Sequence, residues 1–138
     1  MRGILAVAAV VGVLVATDAG AARKPTASER AAVAAAVLAQ VPELPRSPAI
    51  VVLRRVLVST VRPGASSSFS RFAAAFVTAR DASPYPTGQR TGLLGLHERT
   101  KGWIMVGYGP DRVVCREPQL FFGGRRAAIL RDLGIRCR

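Results

Sequence analysis

His97 is the only histidine of the 138-residue chain, and Cys115 and Cys137 are its only cysteines. These are too few for a Cys/His zinc site, which takes three or four ligands. A histidine base needs a nucleophile and an orienting carboxylate within reach. Glu98, the neighbour of His97, points to the opposite face if both lie on one strand. No G-x-S-x-G turn or similar nucleophile setting occurs in the sequence. His97 therefore reads as a strand-face or surface residue, and no metal or cofactor is expected.

Beyond residue 21 the carboxylates are Glu29, Glu43, Asp81, Glu98, Asp111, Glu117 and Asp132. Acid/base work on a glycosidic bond needs two of them at a defined separation, and no spacing selects a pair. Glu98 and Asp111 are the two that a sheet could bring together, with pairing to arginine as the alternative in so basic a chain. The set is too scattered for a calcium loop, whose oxygen ligands alternate along the chain. Gly107-Tyr108-Gly109 is a fragment of a phosphate loop that lacks the third glycine and a directly following helix. A strand running into a turn explains it better. The expectation is a protein that is not an enzyme.

Arginine is the strongest chemical signal. The chain has 18 Arg and 2 Lys against 8 Asp+Glu, a net charge of +12. Arg125, Arg126, Arg131, Arg136 and Arg138 crowd the C-terminal segment, and the guanidinium fork suits phosphate and carboxylate. They are the candidate anion-binding residues. A GC-rich genome would also write Arg in place of Lys, which accounts for the Arg:Lys ratio but not for the net charge. No recognisable nucleic-acid module is present. Few aromatics lie among these arginines, which argues against a stacking platform for single strands.

The leader gives these charges a destination. Arg2 precedes an apolar run of 14 residues, 3–16, and Ala19-Gly20-Ala21 has the A-x-A form of a signal-peptidase site. A membrane span needs about 20 apolar residues. Residues 1–21 are thus expected to be a cleaved signal peptide, with 22–138 a single secreted domain. No cysteine follows the run for lipid attachment, and no membrane span is expected in the mature chain. In an oxidising compartment Cys115 and Cys137 are expected to join.

The elements that must carry these residues follow from local pattern. Thr26-Ala27-Ser28-Glu29 has the form of a capping box. It opens an alanine-rich helix over 27–40 with Val33, Val37 and Val41 on one face, stopped by Pro42 and Pro45. Residues 49–61 are rich in β-branched side chains and read as a strand. The adjacent Arg54 and Arg55 call for a bulge or an edge position to keep both in water. Residues 69–80 fit either period, and strand is favoured. Residues 91–98 and 103–108 form a hairpin around 99–102, and 113–115 read as a further piece of strand. A helix over 125–133 ends at Gly134, with Phe121 and Phe122 as a plug between it and the sheet. Trp103 is assigned to the core.

From Val58 onward the chain resembles a family of small secreted proteins from high-GC actinobacteria. The resemblance is carried by Val58-Ser59-Thr60-Val61, by Gly102-Trp103-Ile104-Met105-Val106-Gly107, by Cys115, and by Leu133-Gly134-Ile135-Arg136-Cys137. It covers residues 50–137 and supports the strand reading of 69–80. It brings no catalytic or binding residue with it. The chain departs from the family pattern at 63–68, Pro-Gly-Ala-Ser-Ser-Ser, and at 121–124, Phe-Phe-Gly-Gly.

Together these features predict an α+β fold. An N-terminal helix packs on an antiparallel sheet of about four strands, and one disulfide ties a short C-terminal helix. The expected function is non-enzymatic association with an anionic cell-envelope polymer or an acidic protein. The alternative is a secreted inhibitor or binder of an extracellular enzyme, acting through loops 62–68 and 81–89.

Overall fold

The computed structural model describes residues 22–40, 51–79 and 89–138. The leader at 1–21, the stops at Pro42 and Pro45, the strand start at 49 and the loop at 81–88 lie outside them.

Helix α1 spans Ala27–Gln40. Its capping box is formed in both directions. The Glu29 N–H donates to Thr26 Oγ1 at 3.2 Å, and the Thr26 N–H donates to Glu29 Oε1 at 3.0 Å. Val33 and Val37, one turn apart, are its buried face. They meet Val56, Val58, Ala73, Ala75, Val77 and Leu94 on one side of the sheet, with Trp103 half-buried against them.

The sheet is an antiparallel meander of β1 (Val51–Val58), β2 (Phe69–Ala79), β3 (Gln89–His97) and β4 (Trp103–Gly109), in that spatial order. Strand β2 pairs on both edges and is covered on both faces. Ala73, Ala74 and Ala75 have no exposed surface. Burial on both sides erases the polar/apolar alternation that marks a half-wet strand, which is why 69–80 fits two periods in sequence. The edge strands are both managed. Arg23 pairs with Val58 on the outer side of β1. The Gln40 side chain bridges β4, donating to the Trp103 carbonyl at 3.0 Å and accepting the Met105 N–H at 2.8 Å.

The opposite face is covered by the C-terminal segment. It comprises α2 (Asp111–Val114), a 3-10 turn at Gln119–Phe122 and α3 (Arg126–Asp132). Phe72, Ala74 and Leu93 from the sheet meet Val114, Phe122, Ile129, Leu130 and Leu133 from this segment. Phe122 has no exposure and stacks on Phe72 with ring centroids 4.8 Å apart. The fold is α+β, with one disulfide between Cys115 and Cys137 whose Cα atoms are 5.6 Å apart. Among the described residues no helix is long and apolar enough to cross a membrane.

Two local expectations are corrected. Residues 113–115 are not strand. Pro110 turns the chain, the Cys115 N–H donates to the Asp111 carbonyl at 2.8 Å, and Val114 is buried within one turn of helix. The disulfide therefore ties the end of α2, not a strand, to the tail beyond α3. The hairpin connection also runs over 98–102, and its left-handed residue is Lys101 (φ 58°) rather than Gly102. The Lys101 N–H donates to the His97 carbonyl at 3.0 Å.

Helix α3 ends as its sequence requires. Gly134 takes φ 74°, its N–H donates to the Arg131 carbonyl, and the Ile135 N–H donates to the Leu130 carbonyl at 2.9 Å. The segments 63–68 and 121–124 meet each other. The Gly64 N–H donates to the Phe122 carbonyl at 3.0 Å, and the Ser67 hydroxyl donates to the Phe121 carbonyl. A Cβ on Gly123 would come within 2.5 Å of the Gly64 backbone, and Gly123 itself has φ 58°.

Gly123→Ala is accordingly expected to cost about 1–3 kcal/mol, through overpacking and a left-handed backbone. A shift of the urea midpoint without a change of slope checks this. Opening the disulfide with Cys115→Ser/Cys137→Ser frees a 22-residue separation and is expected to cost about 3 kcal/mol in the same assay.

Candidate functional site

The acid/base candidates are dispersed. His97 Nδ1 accepts the Arg99 and Thr100 N–H groups at 3.2 and 3.4 Å, and its ring meets Phe69 edge-on. It braces the hairpin turn. Glu98 and Asp111 are not brought together. Asp111 adjoins Thr91 at the start of β3, whereas Glu98 follows its last residue, ~20 Å away along a strand. The Asp111 carboxylate accepts the Thr91 hydroxyl at 2.9 Å and the Arg136 N–H at 3.1 Å. Asp132 is buried and accepts the Ser59 hydroxyl and the Thr60 N–H, both at 2.8 Å. Burial raises the pKa of Glu117, which lies against Gly107. Glu43 and Asp81 lie outside the described residues. Among the described residues no three His, Cys, Asp or Glu side chains gather around a possible metal. A helix does follow Gly107-Tyr108-Gly109 after one proline, contrary to expectation. It is the four-residue α2, too short to offer an anion seat.

The C-terminal arginines divide into two groups. Arg131, Arg136 and Arg138 line one groove of about 650 Å³ beside Gly134 and Cys137. Arg125 and Arg126 sit at the other end of α3 and brace neighbouring loops. Arg125 Nη1 donates to the Arg62 carbonyl at 3.4 Å, and Arg126 Nη1 donates to the Glu117 carbonyl at 2.8 Å.

The groove does not end at the tail. Arg136 also borders a hollow of about 340 Å³ with Phe76 and Gly134, and Phe76 borders another of about 570 Å³ with Arg54 and Arg55. The Arg55 guanidinium lies 5.1 Å above the Phe76 ring, a cation–π contact. A Cβ on Gly134 would be 3.7 Å from Arg55 Nη2. The three hollows thus share residues and form one surface from the edge of β1 to the tail, carrying five guanidinium groups.

Arg54 and Arg55 belong to this surface and were not among the expected anion ligands. Neighbours on a regular strand face opposite ways, but β1 has a register shift between Leu53 and Arg55. The bulge lets both side chains line the same hollow. The paired arginines hinted at a bulge. Only the tertiary contact with Phe76 and Gly134 shows which surface they join.

A separate cleft of about 370 Å³ is lined by Arg23, Ser59, Thr60, Val61, Arg62, Ser70 and Arg71. Glu29 lies at its side. Arg23 closes its fork on both Glu29 oxygens at 2.7 Å, and Arg71 Nη1 stands 3.6 Å away. The Arg23 hydrogen bonds hold the Glu29 carboxyl down at about 2. Partial burial opposes them and the Thr26 N–H assists.

Comparison with family models, with curated proteins and with solved structures finds no match, so any functional reading rests on these side chains.

The Glu29 shift has a pH consequence. Its folded pKa lies below the ordinary 4.5, so its contribution to stability is full above that value. It is lost progressively as pH falls from there through about 2. Urea denaturation of Glu29→Gln across pH 6 to 2 is expected to show a shallower acid decline than the parent chain.

Proposed function

We propose that the protein is exported and, without catalysing a reaction, holds an anionic cell-envelope polymer along its arginine surface. The single observation that carries this reading is the continuity of Arg54, Arg55, Arg131, Arg136 and Arg138 across three adjoining hollows. A run of shallow, connected, cationic hollows suits an extended polyanion better than a compact substrate. Among the described residues the one side-chain carboxylate lining it, Asp111, is occupied by the Thr91 hydroxyl and the Arg136 N–H. Export is supported by the leader pattern and by the disulfide, which persists in oxidising compartments. An acidic protein partner would use the same surface. Inhibition of an extracellular enzyme is the alternative and would be led by loop contacts rather than by charge.

The test is retention on immobilised polyphosphate or polyglutamate with a salt gradient. Arg131→Gln/Arg138→Gln is expected to elute at clearly lower salt than the parent. Arg112→Gln/Arg116→Gln, an exposed pair off this surface with the same loss of charge, is expected to elute close to the parent. Equal shifts in both doubles would reduce the effect to net charge and overturn the site. Retention that persists in about 1 M salt, where screening acts over roughly 3 Å, would favour the contact-led alternative.

A further inference from the structure

We propose that the cleft between the β1–β2 loop and the N-terminal segment is a second site, specific for a single phosphate group and independent of the polyanion surface. Its rim is Arg62, Ser70 and Arg71, with Arg23 behind. Ser70 and Arg71 are strand neighbours, yet both reach the cleft because β2 has a register shift between Phe69 and Arg71. This is the same device that gathers Arg54 and Arg55 elsewhere.

The floor is rigid. Ser59 and Thr60 are fastened to the buried Asp132 by the bonds described above, and the Arg23 backbone exchanges two 2.9 Å hydrogen bonds with Val58. Those bonds, with the Thr60 hydroxyl donating to Asp132 at 3.3 Å, leave both floor hydroxyls directed at Asp132, so the donors remaining for a ligand are the Arg62 and Arg71 guanidinium groups.

The choice of phosphate follows from what is already occupied. A planar carboxylate, Glu29, fills the Arg23 fork. Arg71 makes only the longer 3.6 Å approach to Glu29 and is 43% exposed at its side chain, and Arg62 is exposed. The two guanidinium groups come from different elements, the β1–β2 loop and β2, and both line the cleft, whereas the Ser70 hydroxyl donates to the Leu96 carbonyl at 3.3 Å. A tetrahedral anion accepts from several directions at once and meets that arrangement better than a second flat carboxylate. Three arginines line the cleft against Glu29 at its side and Asp132 beneath its floor, which keeps the balance positive.

The experiment is an amide NMR titration of the disulfide-intact protein with inorganic phosphate, at ionic strength held constant with sodium chloride. Saturable shifts are expected at residues 59–62, 70 and 71. Arg62→Gln/Arg71→Gln is expected to weaken the apparent affinity about tenfold or more, while its polyphosphate retention stays close to that of Arg112→Gln/Arg116→Gln. Arg131→Gln/Arg138→Gln is expected to leave the phosphate titration unchanged, so failure of either site is seen without the other. Arg62→Gln alone, a change at an exposed side chain, gives an independent weakening should the double variant unfold. Shifts that do not saturate, that map to the tail arginines, or that acetate reproduces at equal concentration would overturn the assignment.

Discussion

The stacking of Phe122 on Phe72 is the contact on which the rest depends. The segment after β4 has one turn of α2, one 3-10 turn and seven residues of α3. None of these is long enough to be stable alone. They persist because Phe122, Val114, Ile129, Leu130 and Leu133 are pressed against the lower face of the sheet. The close approach of Gly64 to Gly123 lets the loop before β2 close over this joint. The disulfide and the Asp132 bonds then fasten the far end. Lift that segment away, and Arg131, Arg136 and Arg138 no longer have a common surface.

A chain of net charge +12 works against its own compaction through self-repulsion. Part of the answer is spatial. Most of the described arginines are exposed, among them those at the β1 bulge and on the tail. Another part is chemical: guanidinium groups donate to loop carbonyls, as Arg125 and Arg126 do, and one lies over an aromatic face, as Arg55 does. The bidentate Arg23–Glu29 pair joins the N-terminal segment to the capping turn of α1. The two β-bulges do more than relieve crowding. Each brings a pair of adjacent polar residues to the lining of one hollow, where regular pleating would bring one.

Much of the fold was legible locally. The Thr26–Glu29 box, the Val33/Val37 spacing, the hairpin and Gly134 are signals that act within a few residues, and each appears in its expected role. The central strand was ambiguous because alanines buried from both sides carry no face. The 113–115 segment misled because two valines favour a strand, whereas Pro110 and the cover of the sheet impose a helical turn. Of the five expected anion ligands, three share a groove. Arg125 and Arg126 look equivalent to them in a charge count but stand at the opposite end of α3.

By itself the sequence determined the chemical inventory: one histidine, one pair of cysteines, and a large excess of guanidinium. It also determined the local elements, because caps, turns and glycine conformations depend on near neighbours. Only the tertiary structure decided which arginines share a surface. That grouping depends on strand register, on two one-residue bulges and on the packing of a short segment beneath the sheet. Those are contacts between residues tens of positions apart, and no local pattern encodes them.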